Sequence, residues 1–276
     1  MIDPATPETS DKVPSIINRL KSDLGAAFLM LSVIPVFWHR FDDDKTPNLA
    51  PALWAFPVVG IVLGIIVGCF VQGGDDLGLP PMLAAIIGIM ALVMVTGAMH
   101  EDGIADTADG FGGGRSPERK AEIMHDSSIG SYGVMALVLS TAARVTILVT
   151  LMDMFYGWTF ILMMAAIIAG ARYQVLILLH FFKISPYAKL ANMAGAPHLS
   201  NIVAGLAIWA GLMWMLTSLT TIIVAGIMAF LSTIWLGRLA TRQINGLNGD
   251  VMGASIIIGE IVIGTAVIIA AQLANG

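Results

Sequence analysis

The sequence predicts an all-α protein: a polytopic integral membrane bundle of about seven spans, preceded by one re-entrant or interfacial helix. Three observations carry this. Hydrophobic residues make up 57% of the chain and charged residues 12%, against about 45–50% and about 25% in soluble domains. Several apolar runs reach the roughly 20 residues that a helix needs to cross a bilayer. Finally, Lys and Arg fall in alternate connections between those runs, as the positive-inside rule requires.

The spans read as 49–71, 82–99, 130–152, 158–182, 200–216, 219–240 and 252–274. Lys12, Arg19, Lys21, Arg40 and Lys45 precede the first. Arg115, Arg119 and Lys120 follow the second, Lys183 and Lys189 the fourth, Arg238 and Arg242 the sixth. The connections around Asp75, Asp153 and Leu216 to Leu219 carry no Lys or Arg. The loops 100–129, 183–199 and 241–251 are therefore expected on the cytoplasmic side of a cytoplasmic (inner) membrane, with the C-terminus outside. Leu24 to Trp38 is short, contains Pro35 and has basic residues on both flanks. That favours a re-entrant or interfacial helix over a span. No small-residue cleavage site follows it, so it is a poor signal peptide. Residues 1–22 are polar and expected to be mobile, and 23–276 form a single membrane domain.

Other features narrow the class. The lone Cys69 excludes a disulfide within one chain and a cysteine zinc site. A net charge of −5 and the membrane helices argue against a nucleic-acid partner. Gly60, Gly64 and Gly68 have the small-xxx-small spacing that lets a neighbouring helix approach closely. The lipid bilayer is the expected surrounding, and a homo-oligomer is left open.

Against this apolar background, seven of the nineteen acidic residues lie between Glu101 and Asp126. Asp102, Asp106 and Asp109 are spaced i, i+4, i+7, so a helix would put them on one face. Stacked like charges repel, and a divalent cation offsets them; oxygen ligands favour Mg²⁺ or Mn²⁺ over zinc. The acids alternate with Gly103, Ala105, Ala108 and Gly110, which on this reading leave room for a large ligand. Asp102 to Asp109 is expected to prolong the second span, with Gly110 to Gly114 breaking the helix. Ser116-Pro117 reads as a new helix start, and that helix would carry Glu122 and Asp126 toward the first. Asp102, Asp106, Asp109 and Asp126 are the candidate metal ligands; with Glu122, they are the candidate catalytic residues.

The remaining candidates bind substrate. Gly112, Gly113 and Gly114 could let backbone N–H groups approach a phosphate, beside Arg115. Arg172 lies inside an apolar span and reads either as an anion contact or as half of an ion pair between helices; for Arg144 the ion pair is the better reading. His100 and His125 flank the acidic segment and read either as a base or, more commonly for a lone His beside carboxylates, as hydrogen-bond partners; His100 is counted among the substrate contacts. Asp250, in the turn Asn245 to Asp250, can join the same site or cap a helix. Glu260 sits about ten residues into an apolar run, which marks it as functional by default.

The run from Gly97 to Gly133 contains His-Glu-Asp-Gly-Ile-Ala-Asp-Thr-Ala-Asp-Gly-Phe-Gly-Gly-Gly-Arg and then Glu-Ile-Met-His-Asp-Ser-Ser-Ile-Gly-Ser-Tyr-Gly. It resembles the cobalamin 5′-phosphate synthase family, also called adenosylcobinamide-GDP ribazoletransferase. Ala171-Arg172-Tyr173, Gly249 to Ala254 and Glu260 extend the likeness over most of the chain. Val33, Ser128 and Asn248 depart from residues the family often has there. The resemblance implies a Mg²⁺-dependent phosphotransferase of a late step in cobalamin biosynthesis. Adenosylcobinamide-GDP would give its cobinamide-phosphoryl part to α-ribazole or α-ribazole 5′-phosphate, releasing GMP. A CDP-alcohol phosphotransferase is the nearest rival, but it expects Asp-Gly-x-x-Ala-Arg where Ala105 is followed here by Asp106. A divalent cation transporter would place its acids within the spans rather than in a loop.

Overall fold

The computed structural model describes residues 15–36, 49–188 and 195–275. Lys12, Trp38, Arg40, Lys45 and Lys189, used above, lie outside them. The described residues form ten α-helices and one short 3-10 helix, with no strand. They are α1 (Ile16–Leu31), the 3-10 helix (Ala50–Ala55), α2 (Phe56–Asp76), α3 (Pro81–Thr96), α4 (Met99–Gly113) and α5 (Pro117–Met124). Then come α6 (Ser131–Met154), α7 (Trp158–Phe181), α8 (Leu199–Leu216), α9 (Leu219–Ile244) and α10 (Gly249–Asn275).

Six helical segments are each long and apolar enough to cross a membrane: Ala50–Asp76, Ser131–Met154, Trp158–Phe181, Leu199–Leu216, Leu219–Ile244 and Gly249–Leu273. The bent pair α3 and α4 makes a seventh when taken together. The fold is therefore the polytopic helical bundle that the composition predicts.

The core is built on α2, α7 and α10. On α2, Gly60, Gly64 and Gly68 face Ala169, Ala165 and Ile161 of α7. A Cβ on Gly64 would sit 2.4 Å from the Ala165 Cα. The small-residue spacing is thus a packing device, as the sequence indicates: bare backbone lets two apolar helices close without gaps. On the outside, α6, α8 and α9 expose Val138, Leu139, Trp214, Ile223 and Ile227, a surface suited to lipid.

The two ends of the bundle differ. At one end Ser185 N–H donates to the Leu247 carbonyl at 2.7 Å and Leu247 N–H to the Lys183 carbonyl at 2.9 Å. There too Lys120 donates to Gln243, and Tyr187 to Glu118. The connections around 100–129, 183–188 and 241–251 therefore share one end, in line with the charge pattern. At the other end Gly157 N–H donates to Gln72 Oε1 at 2.7 Å and Tyr156 to Asp76 at 2.8 Å.

Two expectations change. α4 does not prolong α3; the chain turns by 90° between them. Gly97 and Ala98 both adopt left-handed backbone, at φ 64° and 59°, which ends α3 and re-aims the chain. The polar helix α4 thereby lies outside the apolar arm, against α10 and α6. At the N-terminus, α1 begins at Ile16 with Ser15 as its cap, so residues 16–22 are helical rather than part of a polar tail. α1 spans 16 residues, about 24 Å at 1.5 Å per residue, which is short for a crossing. It buries Ala26, Ala27 and Leu31 and exposes Ile16, Ile17 and Leu20 beside Arg19 and Lys21, the pattern of an interfacial helix.

Candidate active site

At the end of the bundle that gathers the basic connections, α4, α10, the start of α6 and the 125–129 turn enclose a cavity of about 630 Å³. Glu101, Asp102, Asp106, Asp126 and Asp250 line it, with His125, Ser127 and Ser128. Ala98, Ala105, Met124, Ile129 and Leu137 supply an apolar wall.

Helix period places Asp102 and Asp106 on the cavity face of α4. Asp250 arrives opposite them because α10 crosses α4 at a glycine contact. A Cβ on Gly103 would lie 2.8 Å from the Asp250 carbonyl oxygen and 3.2 Å from the Gly253 Cα. Gly110 likewise receives the Met124 side chain of α5. The small residues between the acids thus mainly admit neighbouring helices, with only Ala105 on the cavity wall; the room for a ligand is the cavity itself. Asn248 sets Asp250: its Oδ1 accepts from Val251 N–H at 3.0 Å, capping α10, while its Nδ2 donates to Asp250 at 2.7 Å.

Burial and crowding act on the carboxylates. Asp106 is pushed up to about 7, first by burial and then by the charges of Asp102, Asp250 and Asp109. Asp126 behaves oppositely. Ser128 donates to it from N–H at 3.0 Å and from Oγ at 2.8 Å, and these bonds hold its carboxyl below the ordinary range.

The other sequence candidates lie outside the cavity. Asp109 is buried, and its two oxygens accept from Gly130 N–H at 2.7 Å and Gly133 N–H at 2.9 Å, closing off the start of α6. Glu122 does not face α4. α5 turns Ala121 and Met124 inward, so Glu122, one helical step away, is exposed and pairs with Arg119 at 2.8 Å. Asp126 lies beyond the end of α5, so the two acids are not a helical pair. α4 runs on through Gly113. Gly112 packs on the Tyr132 ring, Gly113 faces Ile123 and Gly114 packs on Lys120; Arg115 is exposed. Arg172 is fully buried and paired with Glu260. Arg144 joins Glu260 at 2.9 Å and Glu101 at 2.7 Å, the interhelical ion pair expected of it. His100, near the start of α4, is 2% exposed and does not line the cavity.

Two cavity residues escaped the sequence candidates. Glu101 falls off the i, i+4, i+7 stripe, and its signal was Arg144, an arginine in an apolar span that needs an acid. His125, expected only to flank the acidic segment, lines the cavity itself.

Among the described residues, no three His, Cys, Asp or Glu side chains converge as a ready-made metal site. The donor chemistry nevertheless suits Mg²⁺: five mutually repelling carboxylates around an open cavity, with His125 the one nitrogen donor in its lining. Mg²⁺ commonly rests on one or two carboxylates and completes its shell with water and substrate phosphates.

The sequence profile of the cobalamin-5-phosphate synthase family matches residues 23–268. The chain belongs to this family. Its relatives include a protein of Bradyrhizobium diazoefficiens named adenosylcobinamide-GDP ribazoletransferase, 37% identical over 90% of this chain and 93% of that one. Proteins of the same name from Azorhizobium caulinodans and Brucella anthropi are 37% and 32% identical, over 86% and 90% of this chain and 91% and 95% of theirs. No solved structure matches the chain. Family membership covers both the acid cavity and the helices that frame it.

Proposed function

We infer that the protein carries out the activity for which its relatives are named. It joins the adenosylcobinamide-phosphoryl group of adenosylcobinamide-GDP to α-ribazole or its 5′-phosphate, releasing GMP, late in cobalamin biosynthesis. The observation that carries this is the cavity lined by Glu101, Asp102, Asp106, Asp126 and Asp250.

The ribazole hydroxyl oxygen attacks the cobinamide-side phosphorus of the pyrophosphate. A new P–O bond forms as the bond to GMP breaks, and the hydroxyl proton passes to a carboxylate. Asp102 and Asp106 would hold Mg²⁺, with Asp126 or Asp250 completing the set. When bound, Mg²⁺ neutralises charge building up on the pyrophosphate and the departing GMP. Asp126 and Asp250 flank the cavity and are placed to take the proton. Met124, Ile129 and Leu137 give the cavity an apolar wall. Asp109 acts at one remove, by seating the start of α6.

The basic residues Arg115, Arg119, Lys120, Lys183, Arg238 and Arg242 sit toward the cavity end. On that ground we place the cavity at the cytoplasmic face of the inner membrane. The test is GMP release by purified protein supplied with adenosylcobinamide-GDP and α-ribazole. EDTA should stop it, Mg²⁺ should restore it, and Asp106→Asn should be inactive. Metal uptake into vesicles with no GMP release would overturn the reading in favour of transport.

A further inference from the structure

Beneath α4 lies a buried chain of charges that touches four helices. Glu101 of α4 meets Arg144 of α6 at 2.7 Å, Arg144 meets Glu260 of α10 at 2.9 Å, and Glu260 meets Arg172 of α7. Arg144, Arg172 and Glu260 are 4%, 0% and 6% exposed, so among the described residues these charges rely on one another and on Glu101. Two arginines and two glutamates leave the chain of charges neutral.

Its upper end reaches the active site. Glu101 lines the cavity and directly precedes Asp102. At the far end of α4, Asp109 accepts the Gly130 and Gly133 N–H groups of α6. α4 is therefore pinned to α6 at two points, Glu101 and Asp109, and Asp102 and Asp106 lie between them. A helix held at both ends cannot turn about its axis.

We propose that Arg144 is a positioning residue: by gripping Glu101 it fixes the rotation of α4, and with it the aim of Asp102 and Asp106 into the cavity. Arg144 suits the task because its planar fork serves Glu101 and Glu260 at once, whereas the single ammonium of lysine is a point charge. Glu260 and Arg172 anchor the grip to the core helices. The metal arm of the test rests on the functional reading above; the other arm does not.

The experiment compares wild type, Arg144→Lys, Glu101→Gln and the double variant, all purified as full chains. Hydrogen exchange reads the helix and Mn²⁺ alone reads the carboxylates. In Arg144→Lys, amides of residues 99–108 should exchange about tenfold faster, while α2 and α7 stay unchanged. Mn²⁺ should bind roughly tenfold more weakly, the low end of the loss seen when the support of metal ligands is removed, since Arg144 acts on Asp102 and Asp106 only through the helix that carries them. Glu101→Gln should act in the same direction, and the double variant should loosen α4 little further than Arg144→Lys alone, since both changes break the Glu101–Arg144 contact and only Arg144→Lys also disturbs Glu260. Unchanged exchange in α4 would overturn the proposal, as would equal acceleration in every helix, which marks plain stabilisation. A loosened α4 that binds Mn²⁺ as tightly as wild type would show that the grip does not aim the carboxylates. Should wild type itself bind no Mn²⁺, the functional reading fails, and the exchange data alone decide whether Arg144 holds α4.

Discussion

Replacing Asp109 by alanine strips the start of α6 of both its side-chain acceptors. The carboxylate accepts two N–H groups, from Gly130 at 2.7 Å and Gly133 at 2.9 Å, and is 7% exposed. Hydrogen bonds to a charged group contribute about 1.5–3 kcal/mol each, and an orphaned buried donor costs about as much. A carboxylate at a helix start adds roughly 0.3–1 kcal/mol through the helix dipole. Allowing for water reaching part of the gap, Asp109→Ala should cost about 3 kcal/mol. At about 2–4 °C per kcal/mol for chains of this size, the melting temperature in detergent should fall by roughly 6–12 °C. Asp109→Asn keeps one acceptor and should lose about half as much. Activity should fall with the folded fraction and somewhat further, because α4 loses one of its two ties to α6; Glu101 still holds it to Arg144, so the protein that remains folded keeps part of its GMP release. If Asp109→Ala melted like wild type yet released no GMP, Asp109 would act on the metal or substrate directly, and the capping account would be refuted.

Other variants separate packing from chemistry. Gly64→Leu should prevent accumulation of folded protein, because even a Cβ would meet the Ala165 Cα at 2.4 Å; yield of monodisperse protein on size exclusion reads this. Glu122→Gln should leave GMP release within about twofold of wild type, since the side chain is exposed and bound only to Arg119; complete inactivation would return Glu122 to the site. Ser128→Ala should shift the acid limb of the pH–rate profile to higher pH. The Ser128 hydroxyl and N–H bonds favour charged Asp126, so losing the hydroxyl raises its pKa and protonates it earlier as pH falls; an unmoved limb would show that Asp126 does not govern the rate.

Much of the bundle was legible because its signals are local. Apolar runs mark the helices of the membrane domain, alternate basic loops mark a common end, and Ser116-Pro117 marks the start of α5. The glycines of α2 announce a close helix neighbour without saying which. What the sequence hides is the partner of each polar group. Asp109 shares a stripe with Asp102 and Asp106, but its fate depends on Gly130 and Gly133, 21 and 24 residues further on. Arg172 depends on Glu260, 88 residues away. Helix spacing says which acids share a face and nothing about what meets that face. The turn at Gly97 and Ala98 was missed for a related reason: alanine gives no warning of left-handed backbone. The activity was readable because the acidic segment keeps a long family pattern, even though several of its residues hold helices together and do not line the cavity.

The most direct test is GMP release in a single turnover, comparing wild type with Asp102→Asn/Asp106→Asn at saturating Mg²⁺ and matched melting temperature. Adding α-ribazole to enzyme loaded with adenosylcobinamide-GDP should give one equivalent of GMP from wild type and none above background from the double variant. Release at the wild-type rate from the double variant would contradict the account.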